Sequence, residues 1–238
     1  MMQPGKSSKA INKLYVEILA HDSKTVCFTS PSRNEGITTI ACATAVAAAT
    51  FGRKILYCDF GNYNTSLSKR LNLEFKATQG SILEQSFDNI QFIDSHGFYI
   101  LPLPGPRPYE VSLIEKEPLR IFFDTLKKQY DLILIDCNSF NKYQPFTLST
   151  RYLSEVADVT ILIVLSGVTT KEAVEEAVEE MKNIGTHLLG CVMNDATSPR
   201  LVDSLCHATE YLDKYFPDLA QSLRKKLRDS VVLSIDGE

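Results

Sequence analysis

Apolar positions along the chain follow two patterns in turn, one with the spacing of helices and one with the continuity of buried strands. Ile11, Leu14, Tyr15, Ile18 and Leu19 keep three- and four-residue spacing and mark one face of a first helix. Residues 25–30 (TVCFTS) then read as a buried strand. Residues 38–51 (TTIACATAVAAATF) are apolar nearly all round, as expected of a helix enclosed in a large fold. Gly52 is a natural terminator for it, and 54–60 (KILYCDF) is predicted as a second strand. The stretch 61–96 is the least regular, with short helical pieces near 66–71 and 81–85. Strand 98–104 (FYILPLP) runs into a proline-rich loop, and an amphipathic helix over 117–130 leads to strand 131–137 (DLILIDC). Then come a helix near 146–157, strand 159–165 (VTILIVL), and a helix capped by Thr169 or Thr170 and ended by Gly185. Strand 187–194 (HLLGCVMN) is the last, and the remainder reads as helical to about residue 229.

The predicted strands are unbroken apolar runs, so both their faces should be covered. Strand–helix alternation of this kind implies a parallel sheet sandwiched between helices. The expectation is one α/β domain over 1–238, since no repeat or low-complexity linker divides the chain.

Composition narrows the function. Of 238 residues, 44% are hydrophobic and 23% charged, which suits a globular protein and excludes a disordered one. Lys plus Arg is 25 against 29 for Asp plus Glu, a net charge of −4, so no global basic field exists and no nucleic-acid partner is expected. No apolar run reaches the roughly 18 residues of a membrane span, and the first residues lack an apolar signal segment. A cytoplasmic protein is expected, reaching the inner membrane through a partner. The six cysteines form no C-x-x-C pair and are read as reduced, small buried hydrophobes. His21, His96, His187 and His207 share no metal-ligand spacing.

In sheets of this type ligands bind at the carboxyl ends of the strands, and three features fall there. The first is the loop 29–39 (TSPSRNEGITT), before the apolar helix. A phosphate loop needs converging backbone N–H groups, a helix N-terminus, a Lys, and a Ser or Thr for Mg²⁺. Gly36, Thr38 and Thr39 fit, but Ile37 stands where the Lys belongs. The second is Asp59 and the third Asp136, each ending a strand, as carboxylates that address Mg²⁺ or its water do. The candidate nucleotide contacts are Arg33, Asn34, Glu35, Gly36, Ile37, Thr38, Thr39 and Asn194. Thr38, Asp59 and Asp136 are the candidate Mg²⁺ ligands should nucleotide bind.

These residues carry a resemblance. The chain resembles the MinD/ParA-type P-loop ATPases, and most of all the cytoplasmic tyrosine-kinase domains of bacterial capsule and exopolysaccharide export. Their S-x-P-G-E-G-K-S/T loop is similar to Ser32-Arg33-Asn34-Glu35-Gly36-Ile37-Thr38, and their D-x-D to Asp59-Phe60-Gly61. Their L-P-x-G-x-x-P segment resembles 101–114, and their D-x-x-I-I-D-x-P-P resembles 131–139. The later motif ending T-x-x-x-A is matched from Asp158 through Ala173, and G-x-V-x-N by Gly190 to Asn194. The match covers about 9–194, leaving 195–238 as a helical extension.

The departures define the expected function. Ile37 replaces the phosphate Lys, Asn34 a Gly, Arg33 a Pro and Gly61 the second Asp, while Asn138 and Ser139 replace Pro-Pro. The E-x-x-R-x-x-R ring motif would fall on Lys9, Asn12 and Tyr15, and the C-terminal tyrosine cluster is missing, with only Tyr211 and Tyr215 near. Asp59 and Asp136 are therefore read as vestiges of a catalytic pair. The reading is a non-catalytic, kinase-like protein acting by contact in polysaccharide synthesis or export. Its expected partner is a membrane polysaccharide copolymerase or a related kinase-like protein, or a second copy in a homodimer. No cofactor is required, and ATP or ADP with Mg²⁺ would bind at reduced affinity. The alternative is a weak ATPase of the positioning or partition kind. The charges of 171–182 are read as a solvated helix face, and Leu219, Leu223 and Leu227 with their neighbouring Arg and Lys as a helix packed on the domain.

Overall fold

Runs of Val, Ile and Leu are stiff at χ1 and fit a pleated surface buried on both sides, and here they build one sheet. A computed structural model describes residues 9–61, 66–76, 82–102, 115–140 and 148–195, with 221, 222 and 225. In chain order the elements are α1 (Lys9–Ala20), β1 (Thr25–Thr29), α2 (Ile37–Thr50), β2 (Ile55–Asp59), α3 (Leu67–Arg70), α4 (Ile82–Asp88), β3 (Gln91–Ile93) and β4 (Phe98–Leu101). They continue with α5 (Lys116–Leu126), β5 (Leu132–Asp136), α6 (Thr150–Val156), β6 (Val159–Leu165), α7 (Lys171–Asn183) and β7 (Leu188–Asn194). The sheet order is β3-β4-β2-β5-β1-β6-β7, parallel throughout except for β3, which runs antiparallel to β4. The expected α/β class holds. The chain divides into units Met1–Asn194 and Asp195–Glu238, and all of these elements lie in the first.

Alternate strand residues feed opposite faces. Val26, Phe28, Ile55, Tyr57, Leu132 and Leu134 pack with Tyr15 and Ile18 of α1 and Ala41, Ala45 and Ala48 of α2. Cys27, Leu56, Cys58, Ile133 and Ile135 pack on the other side with Leu119, Phe122, Phe123 and Leu126 of α5 and Leu153 of α6. The alanines of α2 let that helix approach the sheet closely, which is why it tolerates so little polarity.

Asp158 pins the amino ends of the central strands. Its Oδ2 accepts from the backbone N–H of Lys24 (2.9 Å) and Thr25 (2.8 Å), and its Oδ1 from Lys127 Nζ (2.7 Å). Burial works against the charge, but Lys127 and the two amides outweigh it and hold the carboxyl below the usual range.

Several expectations need correction. β3 lies in the stretch expected to be irregular, because three residues give too short a pattern to read. Leu19, expected on the buried face, is 42% exposed. The strands are not all covered: β7 is an edge strand of mixed exposure, and its Cys191 is exposed rather than buried. The helix predicted over 117–130 stops at Leu126, whose carbonyl accepts from Gln129 and Tyr130 in a closing turn. No helix among the described residues is long and apolar enough to cross a membrane. The segment 103–114, Cys206, His207, Tyr211, Tyr215, Leu219, Leu223 and Leu227 lie outside the described residues.

Candidate functional site

The loop between β1 and α2 turns on two left-handed residues. Gly36 has φ +94° and Asn34 has φ +65°. Asn is among the few side chains that tolerate this region, so Asn34 keeps a backbone that glycine would otherwise supply. Gly36 is also pinned sterically, since a Cβ there would meet Asn194 Nδ2 at 2.2 Å. That Asn194 nitrogen donates to the Glu35 carbonyl at 2.9 Å, so the end of β7 braces the loop.

Glu35 points inward, 1% exposed. Its Oε1 accepts from the Thr169 hydroxyl (2.8 Å), which in turn accepts from the Leu165 N–H (3.0 Å). Burial raises its pKa, opposed by the Thr169 bond and a Ser32 backbone bond. Glu35 thus ties the loop to the end of β6 and is a structural member of the site. Ile37 opens α2, half-buried, with its side chain packed on the α1–α2 core. The position at which a phosphate lysine would stand is turned to apolar use.

Asp59 and Asp136 face each other in register at the carboxyl ends of β2 and β5. Asp59 Oδ2 accepts from the Ser68 N–H (2.6 Å), and Asp136 Oδ2 from the Tyr57 hydroxyl (2.7 Å). Each has an Oδ1 without a hydrogen-bond partner. Burial, then the Asp59 charge, push Asp136 up to about 7. Tyr57, the neighbouring Thr38 hydroxyl and Arg70 pull it back. Asp59 is raised by burial as well, against bonds from Ser68 and Ser66 and the charge of Arg70. Two adjacent buried carboxylates with orphan oxygens, beside a threonine hydroxyl, form a set of hard oxygen donors of the kind Mg²⁺ selects. No cluster of three or more His, Cys, Asp or Glu among the described residues makes a separate metal site.

The loop residues come together. Arg33, Asn34, Glu35, Gly36, Ile37, Thr38 and Thr39 line one cavity of about 270 Å³. Asn194 braces it from behind, while Asp59 and Asp136 do not line it. Four further residues line it that were not among the candidate contacts: Arg70, and Cys137, Asn138 and Ser139 of the motif that ends β5. The segment after β5 is fixed by Phe140 N–H to the Ser30 carbonyl (2.7 Å) and Thr29 Oγ1 to the Asn138 carbonyl (2.7 Å). Arg70 ends α3, a single turn capped by Ser66 and held by Asp59 through Ser68.

The fold has known relatives. Tyrosine-protein kinase YwqD of Bacillus subtilis is 27% identical over 177 residues, 72% of each chain. The chimerical protein CapA2B2 superposes with a TM-score of 0.67 at 25% identity, over 77% of this chain and 82% of that one. The septum site-determining protein MinD from Pyrococcus horikoshii, solved with Mg-ADP, gives 0.57 at 22% identity, over 74% of this chain and 72% of that one. The fold is that of the MinD/ParA-type P-loop ATPases, and the likeness in sequence is to their tyrosine-kinase branch. No protein-family model matches the chain.

Proposed function

We propose that this is a kinase-like protein of the P-loop ATPase fold that acts by protein contact in capsule or exopolysaccharide synthesis or export, without transferring phosphoryl groups itself. The observation that carries the reading is Ile37, packed on the core where the branch places a phosphate-facing lysine. Losing a charge-assisted contact of that kind costs on the order of 1.5–3 kcal/mol in binding. Phosphoryl transfer rests on positioning and electrostatics, so the loss in rate is larger. The partner that fits is the cytoplasmic part of a membrane polysaccharide copolymerase or an intact relative of this chain.

A second reading, a weak ATPase, draws on the orphan Oδ1 atoms of Asp59 and Asp136 and the nearby Thr38, which would hold Mg²⁺ arriving with a nucleotide. One experiment separates the two. The gene is deleted in its own host, and the surface polysaccharide is measured after complementation with the wild type and with Asp59→Ala/Asp136→Ala. Restoration by both, with no phosphotyrosine in the purified protein after Mg-ATP by mass spectrometry, is expected. Failure of the double variant despite normal abundance, or stoichiometric phosphotyrosine, would return the protein to the catalytic side.

A further inference from the structure

The cavity is missing one cation and has gained another. Arg70 lines it from α3, and Arg33 lines it from the loop. Both are exposed, and neither forms a salt bridge with a described residue. The turn carrying Arg70 is not loose. Ser66 caps it by accepting from Lys69 N–H at 3.2 Å, and buried Asp59 grips Ser68 N–H at 2.6 Å. The positive charge of Arg70 also works to lower the pKa of both Asp59 and Asp136.

The rest of the lining adds donors beside the buried carboxylate of Glu35 and the apolar Ile37 and Cys137. The fourteen-residue helix α2 starts just after Gly36, which has no side chain to cap it, and its first residues Ile37, Thr38 and Thr39 line the cavity, so the positive end of its dipole lies there. Ser139, 4% exposed, also lines it, and its Oγ has no partner. Two guanidinium groups, uncapped helical amides and an orphan hydroxyl around about 270 Å³ suit an anion larger than one phosphate.

We infer that Arg70 is this chain's phosphate-binding cation, standing in from α3 for the lysine that Ile37 displaced, and that the cavity holds a pyrophosphate moiety. The inference rests on the reading of the cavity as a nucleotide site turned away from catalysis. Arg70 comes from a different element than the lost lysine, so its planar fork meets the anion from another side. Binding is thereby retained while the alignment needed for transfer is not. Asp59 becomes a positioning residue here, because it fixes the turn that presents Arg70.

The test is calorimetric titration of the full chain, in EDTA, with pyrophosphate, ADP and AMP. The proteins are wild type, Arg70→Ala, Arg70→Lys and Arg70→Ala/Ile37→Lys, with circular dichroism as the fold control for each. Wild type should bind pyrophosphate and ADP and bind AMP much more weakly. Arg70→Ala should weaken the first two roughly ten- to a hundredfold. Arg70→Lys should recover part of that, and Ile37→Lys in the Arg70→Ala background should recover most, by restoring a charge from the helix side. Equal affinity for pyrophosphate and ADP names a free polyphosphate, and tighter ADP names a nucleotide; both support the inference. Unchanged affinity in Arg70→Ala, equal binding of AMP, or no binding by wild type overturns it and leaves the contact reading standing. Phosphotyrosine in wild type together with the Arg70→Ala loss would overturn the contact reading and leave Arg70 in place.

Discussion

Gly36→Ala tests the junction that shapes the loop. The added Cβ would sit 2.2 Å from Asn194 Nδ2, so Asn194 must leave, and its bond to the Glu35 carbonyl goes with it. That bond contributes about 0.5–1.5 kcal/mol. Alanine at φ +94° adds about 1–2 kcal/mol of backbone strain. The expected loss for Gly36→Ala is thus about 2–3 kcal/mol, and about 1 kcal/mol for Asn194→Ala through its bond to the Glu35 carbonyl. The double variant should be no worse than Gly36→Ala alone, since the first change has already evicted Asn194. Urea unfolding of the four proteins, followed by circular dichroism, gives the cycle. Strict additivity, with the double variant about 1 kcal/mol below Gly36→Ala, would refute the steric argument.

Two further outcomes are expected. Asp136 keeps its proton up to about pH 7 in the fold but releases it near 3.8 when unfolded, so its contribution is complete below about pH 4 and is lost as pH rises to 7. Asp136→Asn, which still accepts from Tyr57, should remove that slope and stabilise the protein at pH 8 by on the order of 2–4 kcal/mol, read from urea unfolding across pH 5–8. Asp158 behaves oppositely: its carboxyl is held low, so its contribution is present above the ordinary carboxylate range and fades as pH falls through its lowered pKa. Asp158→Ala should cost about 2–3 kcal/mol at pH 7, through lost bonds to two amides and Lys127, and proportionally less at pH 3.

The elements were legible wherever periodicity was long. β6 lies at the expected residues 159–165, and Thr170 caps α7 by accepting from Ala173 N–H at 3.3 Å. The loop residues 33–39 were legible as one site because they are contiguous and precede an apolar helix. Arg70 was not, because nothing in the spacing of a four-residue turn says which way its last side chain faces. Tyr57 was hidden as one aromatic among strand residues, yet it supports Asp136. Glu35 was legible as a loop residue that lines the cavity, but its burial and its tie to Thr169 were not, because that partner lies far along the chain. The exposure of β7 likewise depends on its place at the edge of the sheet, which no local pattern encodes.

The strand order has a consequence for how the chain is made. β1 is central, and its neighbours are β5 and β6: Thr25 pairs with Ile133, and Val26 with Val159. More than a hundred residues must therefore emerge after β1 before either of its edges is covered. The loop that follows it waits longer still, because Glu35 is tied to Thr169 and to Asn194. Parallel pairings over such separations close slowly, since the entropy of the intervening chain must be overcome before any contact rewards it. The loop thus leaves the ribosome well before Thr169 and Asn194, and the cavity takes its shape only once both have joined it.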